Sequence, residues 1–303
     1  MGGVGMATFI GFLAILMWSL LALLAARSGA VPAFQLAAMT FAVGTLVCVV
    51  PLLRRRGALR VLRQPPRVWL VGVGGLFGYH ALYFAAVRAA PAVEASLIAY
   101  LWPLLIVVGS ALVPGERLRW YHVAGASIGL AGTALVIAGR DGGLSFSPAH
   151  APGYALAASA AVFWAGYSLL SRRLAAVPSE VVGGFCAATA VLSLICHLLF
   201  EETVWPATGA EWGAVALLGL LPVGAAFFCW DIGMKRGDVQ LLGAASYLAP
   251  ILSTLALVAA GEAPVSASLA LAAVLIAGGA SLAALPLFRR LAGGAGRSRT
   301  VRF

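Results

Sequence analysis

Tyr100-Leu101-Trp102-Pro103 and Tyr247-Leu248-Ala249-Pro250 lie 147 residues apart, each inside an apolar run and each followed downstream by a Gly-Glu pair, Gly115-Glu116 and Gly261-Glu262. Nearly the same spacing recurs on either side. Trp18 precedes Pro32 by 14 residues and Trp164 precedes Pro178 by the same 14, an offset of 146, and Gly132 falls on Gly278. A period that returns this often, shifting by one residue between 146 and 147, marks a duplicated unit.

Composition names the solvent of that unit. Of 303 residues, 62% are hydrophobic and 10% charged, against roughly 45–50% and about 25% in a soluble domain. So few ionic side chains cannot cover a water-soluble fold, which excludes a soluble enzyme. A helix crossing about 30 Å of hydrocarbon needs roughly 20 mostly apolar residues, and ten such runs are predicted: 5–26, 32–53, 67–87, 92–113, 120–139, 152–171, 181–200, 211–230, 239–260 and 265–288. Only Arg88, Pro91 and Glu94 separate the third from the fourth. A hairpin is expected there, since one helix over both runs would be about 70 Å long. The runs lack the two-residue alternation of a membrane β-barrel. The first has no Lys or Arg before it and exceeds the length of a signal-peptide core, so it reads as a membrane helix.

Ten crossings put both termini on one side, and the cations choose the side. With cytoplasmic termini, the inner segments hold Arg54, Arg55, Arg56, Arg60, Arg63, Arg67, Arg117, Arg119, Arg172, Arg173, Lys235, Arg236, Arg289, Arg290, Arg297, Arg299 and Arg302, 17 of the 20 cations. Arg27, Arg88 and Arg140 remain outside, where the loop after the seventh run is acidic (Glu201, Glu202, Glu211). The net charge of +10 therefore encodes orientation, and no basic patch points to nucleic acid. The predicted organisation is an all-α integral membrane protein: a first five-helix repeat over 1–140, a second over 141–288, and a basic cytoplasmic tail over 289–303. Because five is odd, the second repeat enters the membrane from the opposite face. Inverted repeats of this kind build many secondary transporters, whose substrate sites lie near mid-membrane between the repeats.

On these residues the chain resembles the drug/metabolite transporter superfamily, through the duplicated ten-helix plan, the Tyr-Leu-x-Pro signature of the fourth helix in each half and the Gly-Glu after it. Within it, the chain is most similar to bacterial aromatic amino acid exporters, through Trp18-Ser19, Gly78-Tyr79-His80, Tyr83 and Tyr100-Leu101-Trp102-Pro103. The resemblance implies a bacterial inner-membrane exporter of aromatic and other amino acids, with a central cavity formed mainly by helices 1, 3, 4, 6, 8 and 9.

The residues themselves supply a candidate site. Trp18, His80, Tyr100, Trp102, Trp164, Tyr247 and Pro250 all fall near the middle of their runs. Polar-edged aromatics usually mark the membrane interface, so at mid-depth each hydroxyl or indole N–H must meet protein, water or ligand. Tyr79 and Tyr83 share a face of the third helix with Gly75 and Ala86, and His80 is beside them. This stripe either stacks against a substrate ring or packs on helix 4. Tyr83 aligns with Trp230, which inversion places toward the opposite membrane face, so the two are candidate gates. Pro103 and Pro250 break a helix in the same place in both copies and read either as a hinge or as a rigid kink. Pro51, Pro222 and Pro286 have no partner in the repeat and are expected to shape their helices locally.

Absences narrow the chemistry. The carboxylates Glu94, Asp231 and Asp238 lie near helix ends, with Glu116 and Glu262 in or beside loops, so no obvious mid-membrane proton relay is present. His80 is the one mid-depth group that titrates in the physiological range. Uniport-like export is the favoured expectation, with proton antiport through His80, or a proton-coupled drug/metabolite exporter of the same fold, as the alternative. No mid-depth Lys or Arg can pair with a phosphate, which disfavours sugar-phosphate substrates. An intramembrane enzyme lacks its motifs, and a receptor lacks extramembrane surface. Cys48, Cys186, Cys196 and Cys229 have no metal-ligand spacing, and neither metal nor cofactor is expected. His122, His150 and His197 are expected at the interface. Gly125, Gly129, Gly132, Gly278 and Gly279 form small faces on helices 5 and 10, suited to internal packing or to a homodimer seam. The expected partners are a small neutral amino acid and membrane lipids, anionic lipid anchoring the tail, in a monomer or homodimer.

Overall fold

In lipid, each segment has to satisfy its own backbone hydrogen bonds, which confines a chain of this composition to helices. The computed structural model describes residues 3–53, 58–138, 146–261 and 267–285; Arg54, Arg55, Arg56, Arg140, Glu262, Pro286 and the basic tail lie outside them. Among the described residues every regular element is helical. The helical rods are α1 (Gly3–Ala26), α2 (Ala33–Leu53), α3 (Pro66–Ala89), α4 (Ala92–Leu112), α5 (Trp120–Ala138), α6 (Pro148–Arg173), α7 (Ser179–Phe200), α8 (Gly209–Arg236), α9 (Val239–Ala259) and α10 (Ala267–Ala283). Eight are long and apolar enough to cross a membrane, while α2 and α10 are apolar over the shorter stretches Ala33–Val47 and Leu269–Ala283. The protein is a multi-pass membrane protein.

The boundaries have local causes. α3 turns into α4 at Ala90, which is extended (φ −147°, ψ 161°), as the residue before a proline must be. The Gly of each Gly-Glu pair is left-handed, with φ 86° at Gly115 and 74° at Gly261, a conformation open to glycine at no steric cost. Five rods are interrupted: α1 at Ser19 and Leu20, a break that α6 does not repeat, and four others in matched pairs. α4 breaks at Tyr100 and Leu101, and α9 at Ser246 and Tyr247, just before the prolines whose missing N–H opens the ladder. α3 and α8 instead each carry a π-helical segment, Gly74–Gly78 and Gly219–Ala225. Pro222 lies inside the second, so the distortion it produces has a counterpart even though the proline has none.

The rods pack most extensively as α1 with α8, α3 with α6, α2 with α7 and α5 with α10; α2 with α8 and α4 with α6 come next, ahead of α4 with α9. Exchanging each rod with the one five places along turns the first of these four leading pairs into the second and returns the other two to themselves. Small residues permit the closest approaches. A Cβ on Gly233 would lie 2.6 Å from the Gly11 Cα across the α1–α8 crossing. Gly125 and Gly279 likewise face each other between α5 and α10, so most of the small face read from the sequence is spent inside the molecule, whereas Gly278 faces open space. Gly233→Val should therefore cost about 1–3 kcal/mol through overpacking and lower the melting temperature in detergent, while Gly278→Ala leaves it unchanged.

Candidate functional site

One cavity of about 340 Å³, within the 300–1,000 Å³ range of small-molecule sites, adjoins the breaks in α4 and α9 and the part of α3 that follows its π segment. Trp18, Tyr79, His80, Tyr83, Tyr100, Trp102, Trp164 and Pro250 line it, together with Phe227, Ser96, Ser253 and small apolar residues. These come from α1, α3, α4, α6, α8 and α9, with Val136 and Ile137 added by α5. No Asp, Glu, Lys or Arg is among the lining residues. The wall extends to the exposed Leu21 and Ala92, so the mouth lies where α1 ends and α4 begins.

Four tryptophans form the floor. Trp18 stands 5.7 Å from Trp164, 6.2 Å from Trp102 and 5.1 Å from Trp230, ring centre to ring centre. Most of these pairs are edge-on or tilted, the arrangements aromatic quadrupoles favour. Trp230 is fully buried beneath the others and donates its indole N–H to Ser168 Oγ at 3.0 Å. Tyr79 and Tyr83 form a stacked wall (6.1 Å, 3°), and the Tyr83 hydroxyl shares a 2.8 Å hydrogen bond with Ser96 Oγ, tying α3 to α4 near the mouth. His80 Nδ1 lies 2.7 Å from the Leu76 carbonyl; a carbonyl only accepts, so this nitrogen carries the proton. Trp18 donates to the Pro222 carbonyl at 3.0 Å. Both acceptors belong to π segments, where the ladder is loosened.

Beneath the floor the bundle is closed by polar contacts. Arg172 donates to Glu116 at 2.8 Å and to the Gly237 carbonyl at 2.8 Å, joining α6, the Gly-Glu turn and the end of α8. Lys235 pairs with Asp231 at 2.7 Å, both buried, and donates to the Val177 carbonyl. No comparable lattice spans the cavity mouth among the described residues. The molecule thus has one open end and one sealed end.

A family model described as the EamA-like transporter family matches residues 5–138 and 151–285. The chain belongs to the EamA-like transporter family. The double match covers both halves of the repeat, and it agrees with the resemblance read from the sequence. This EamA-like chain is 60% identical over 279 residues to the aromatic amino acid exporter YddG of Ancylobacter novellus, covering 92% of this chain and 97% of the relative. It is 28% identical to the aromatic amino acid exporter YddG of Salmonella typhimurium, covering 94% and 98%, and 30% identical to the pseudopaline exporter CntI of Pseudomonas aeruginosa, covering 66% and 68%. A solved crystal structure superposes with a TM-score of 0.90 at 59% identity, covering 95% of this chain and 99% of the other.

Within this EamA-like fold the sequence-derived site is brought together except at three positions. Tyr247 is fully buried away from the cavity, its ring against Gly129 and its hydroxyl accepting the Leu104 N–H at 3.1 Å. Its counterpart Tyr100 lines the cavity because only one end of the bundle is open. Pro103 and Trp230 are buried outside the lining as well. Phe227 escaped the sequence reading, although the offset of 147 that pairs Tyr83 with Trp230 also pairs His80 with Phe227. Ser96 was legible only as the residue one turn before Tyr100. Several polar residues placed at helix ends or in loops have buried side chains: Glu94, His122, His197, Glu201, Asp231 and Lys235. Glu201 accepts the backbone N–H groups of Phe34 and Gln35 at the start of α2 and pairs with Arg88 at 3.0 Å, acting as a cap across the repeats. Ser168→Ala removes the partner of a buried indole, and should cost about 1–3 kcal/mol, read as a lower melting temperature in detergent.

Proposed function

We propose that this chain is a bacterial inner-membrane exporter of amino acids, aromatic and other neutral ones, working by alternating access through the central cavity. The observation that carries the reading is the lining itself: aromatic faces, hydroxyls and an imidazole, with no ionic side chain among them. Such a wall suits a zwitterion that is neutral overall and has a flat side chain, which aromatic residues hold by stacking and hydroxyls orient by hydrogen bonding. The relatives named as aromatic amino acid exporters support the same class of substrate.

The proposed topology has ten crossings, cytoplasmic termini, and two inverted repeats over 1–140 and 141–288, with the tail 289–303 on anionic lipid. The 17 to 3 division of cations supports the orientation, and the four leading rod pairs, closed under a five-place exchange, support the repeat. In this orientation the cavity opens outward and the sealed end is cytoplasmic. Tyr83 and Trp230 then stand at the outer and inner gates, and the paired breaks at Pro103 and Pro250 serve as hinges. Cysteines placed at Glu202 and Arg119 give a direct check: an impermeant maleimide added to whole cells should label the first and reach the second only after permeabilisation.

Uniport is favoured over proton antiport because no carboxylate lines the cavity. Counterflow in proteoliposomes with labelled tryptophan, phenylalanine and threonine at two imposed pH gradients tests substrate and coupling together. Exchange of tryptophan and phenylalanine without substrate-driven proton movement is expected. Stoichiometric proton flux abolished by His80→Ala would replace uniport by antiport, and absence of any amino acid exchange would overturn the export reading.

A further inference from the structure

Two hydrogen bonds beside the cavity are related by the repeat, yet they use different donors. In α8 the Pro222 carbonyl, inside the π segment, accepts the indole N–H of Trp18 at 3.0 Å. The counterpart of Trp18 is Trp164, at an offset of 146, and the counterpart of the α8 π segment is Gly74–Gly78 in α3. The mirror bond would run from Trp164 Nε1 to Leu76 at that offset, or to its neighbour Gly75 at 147. It is not made. His80 holds the Leu76 carbonyl at 2.7 Å, and Trp164 lines the cavity with no hydrogen bond from its indole among the described residues. At the positions equivalent to His80, the second repeat has Ala226 or Phe227, and neither side chain can donate.

We propose that in the state open at the opposite end Trp164 donates its indole N–H into the π turn of α3, and that His80 is the positioning residue that occupies this turn while the present end is open. The proposal rests on the alternating-access reading above. An inverted repeat that changes state exchanges the environments of its two halves, so the bond Trp18 makes now is the bond Trp164 makes then, and Trp18 in turn faces the newly opened side. A carbonyl has two lone pairs, and losing a side-chain donor from one of them away from water is unfavourable. At Leu76 that donor is His80, beside the Tyr79 N–H. No residue in the second half does this for Pro222 once Trp18 leaves, so the donor inventory favours the state with the mouth open beside Leu21 and Ala92.

Opposite signs from equivalent residues make the proposal testable. Spin labels at Leu21 and Ala92, on an otherwise cysteine-free full-length chain in liposomes, report the width of the mouth by pulsed dipolar spectroscopy, with and without phenylalanine. The unmutated labelled chain should show a wide and a narrow distance whose ratio responds to phenylalanine. Trp18→Phe keeps a ring but loses the N–H, and should shift the ratio toward narrow by about 2- to 10-fold. Trp164→Phe should shift it toward wide by a similar factor. His80→Leu should act like Trp18→Phe, and His80→Asn, which restores a donor at the same place along the side chain, should return the ratio toward that of the parent. If phenylalanine variants misfold, benzothienylalanine at either position replaces the indole N–H by sulfur with little change of shape. Two distances in the parent chain, with Trp18 and Trp164 variants moving them in the same direction or not at all, overturn the exchange and leave alternating access standing. A single distance under every condition removes alternating access, and this proposal with it.

Discussion

Every backbone N–H and C=O within the hydrocarbon must find a partner in the protein, and this molecule places its exceptions around one cavity. α4 and α9 are opened by prolines, α3 and α8 by π turns, and side chains hydrogen-bond to three of these four openings. The Tyr247 hydroxyl covers the Leu104 N–H, and Trp18 covers the Pro222 carbonyl. His80 covers Leu76 from within its own helix. An uninterrupted helix has no backbone to spare for a neighbour, so helix breaks and binding cavity occur together for a single reason: only a broken helix can be shaped and held by side chains in this way. The aromatic character of the cavity follows in part from this role, since an indole or phenol is apolar enough for the membrane and still carries one hydrogen-bonding atom.

The two ends of the bundle are held by different contacts. Around the cavity they are aromatic, with a hydroxyl pair between Tyr83 and Ser96, and the Arg88–Glu201 pair lies at the same end. At the far end Arg172 pairs with Glu116 and Lys235 with Asp231, and the two cations donate to the carbonyls of Gly237 and Val177. Ion pairs away from water are stable only when both partners and their remaining hydrogen bonds are satisfied. Such a seal is therefore sensitive to small displacements of α6 or α8, whereas aromatic contacts slide with little change in energy. The tight α1–α8 crossing at Gly11 and Gly233 keeps Trp18 beside Trp230, coupling the floor of the cavity to that seal.

Much of the architecture was readable because its signals are periodic or compositional. Apolar runs near membrane length located the rods to within a few residues, although α6 and α8 extend past their predicted ends because Arg172, Arg173, Lys235 and Arg236 continue the helix. The Gly-Glu pairs marked the repeat, and its offset pointed to matched breaks at Pro103 and Pro250. The π turns were invisible as a pair, since Gly74–Gly78 contains no proline and Pro222 stands alone. Glu201 and Asp231 were misplaced for a related reason: a charge near the end of an apolar run looks solvated until the packing of other helices is known.

The sequence by itself determined a helical membrane protein, the duplication, and a middle dominated by Trp, Tyr, His and Pro, because these depend on solvent and on periodicity along the chain. Only the tertiary structure decided which of two equivalent tyrosines meets the cavity, which tryptophan finds a carbonyl, and which end is open. Sequence-equivalent residues of the two halves are distinguished by the conformation of the whole bundle, and that conformation is set by packing between the halves, which no local pattern encodes.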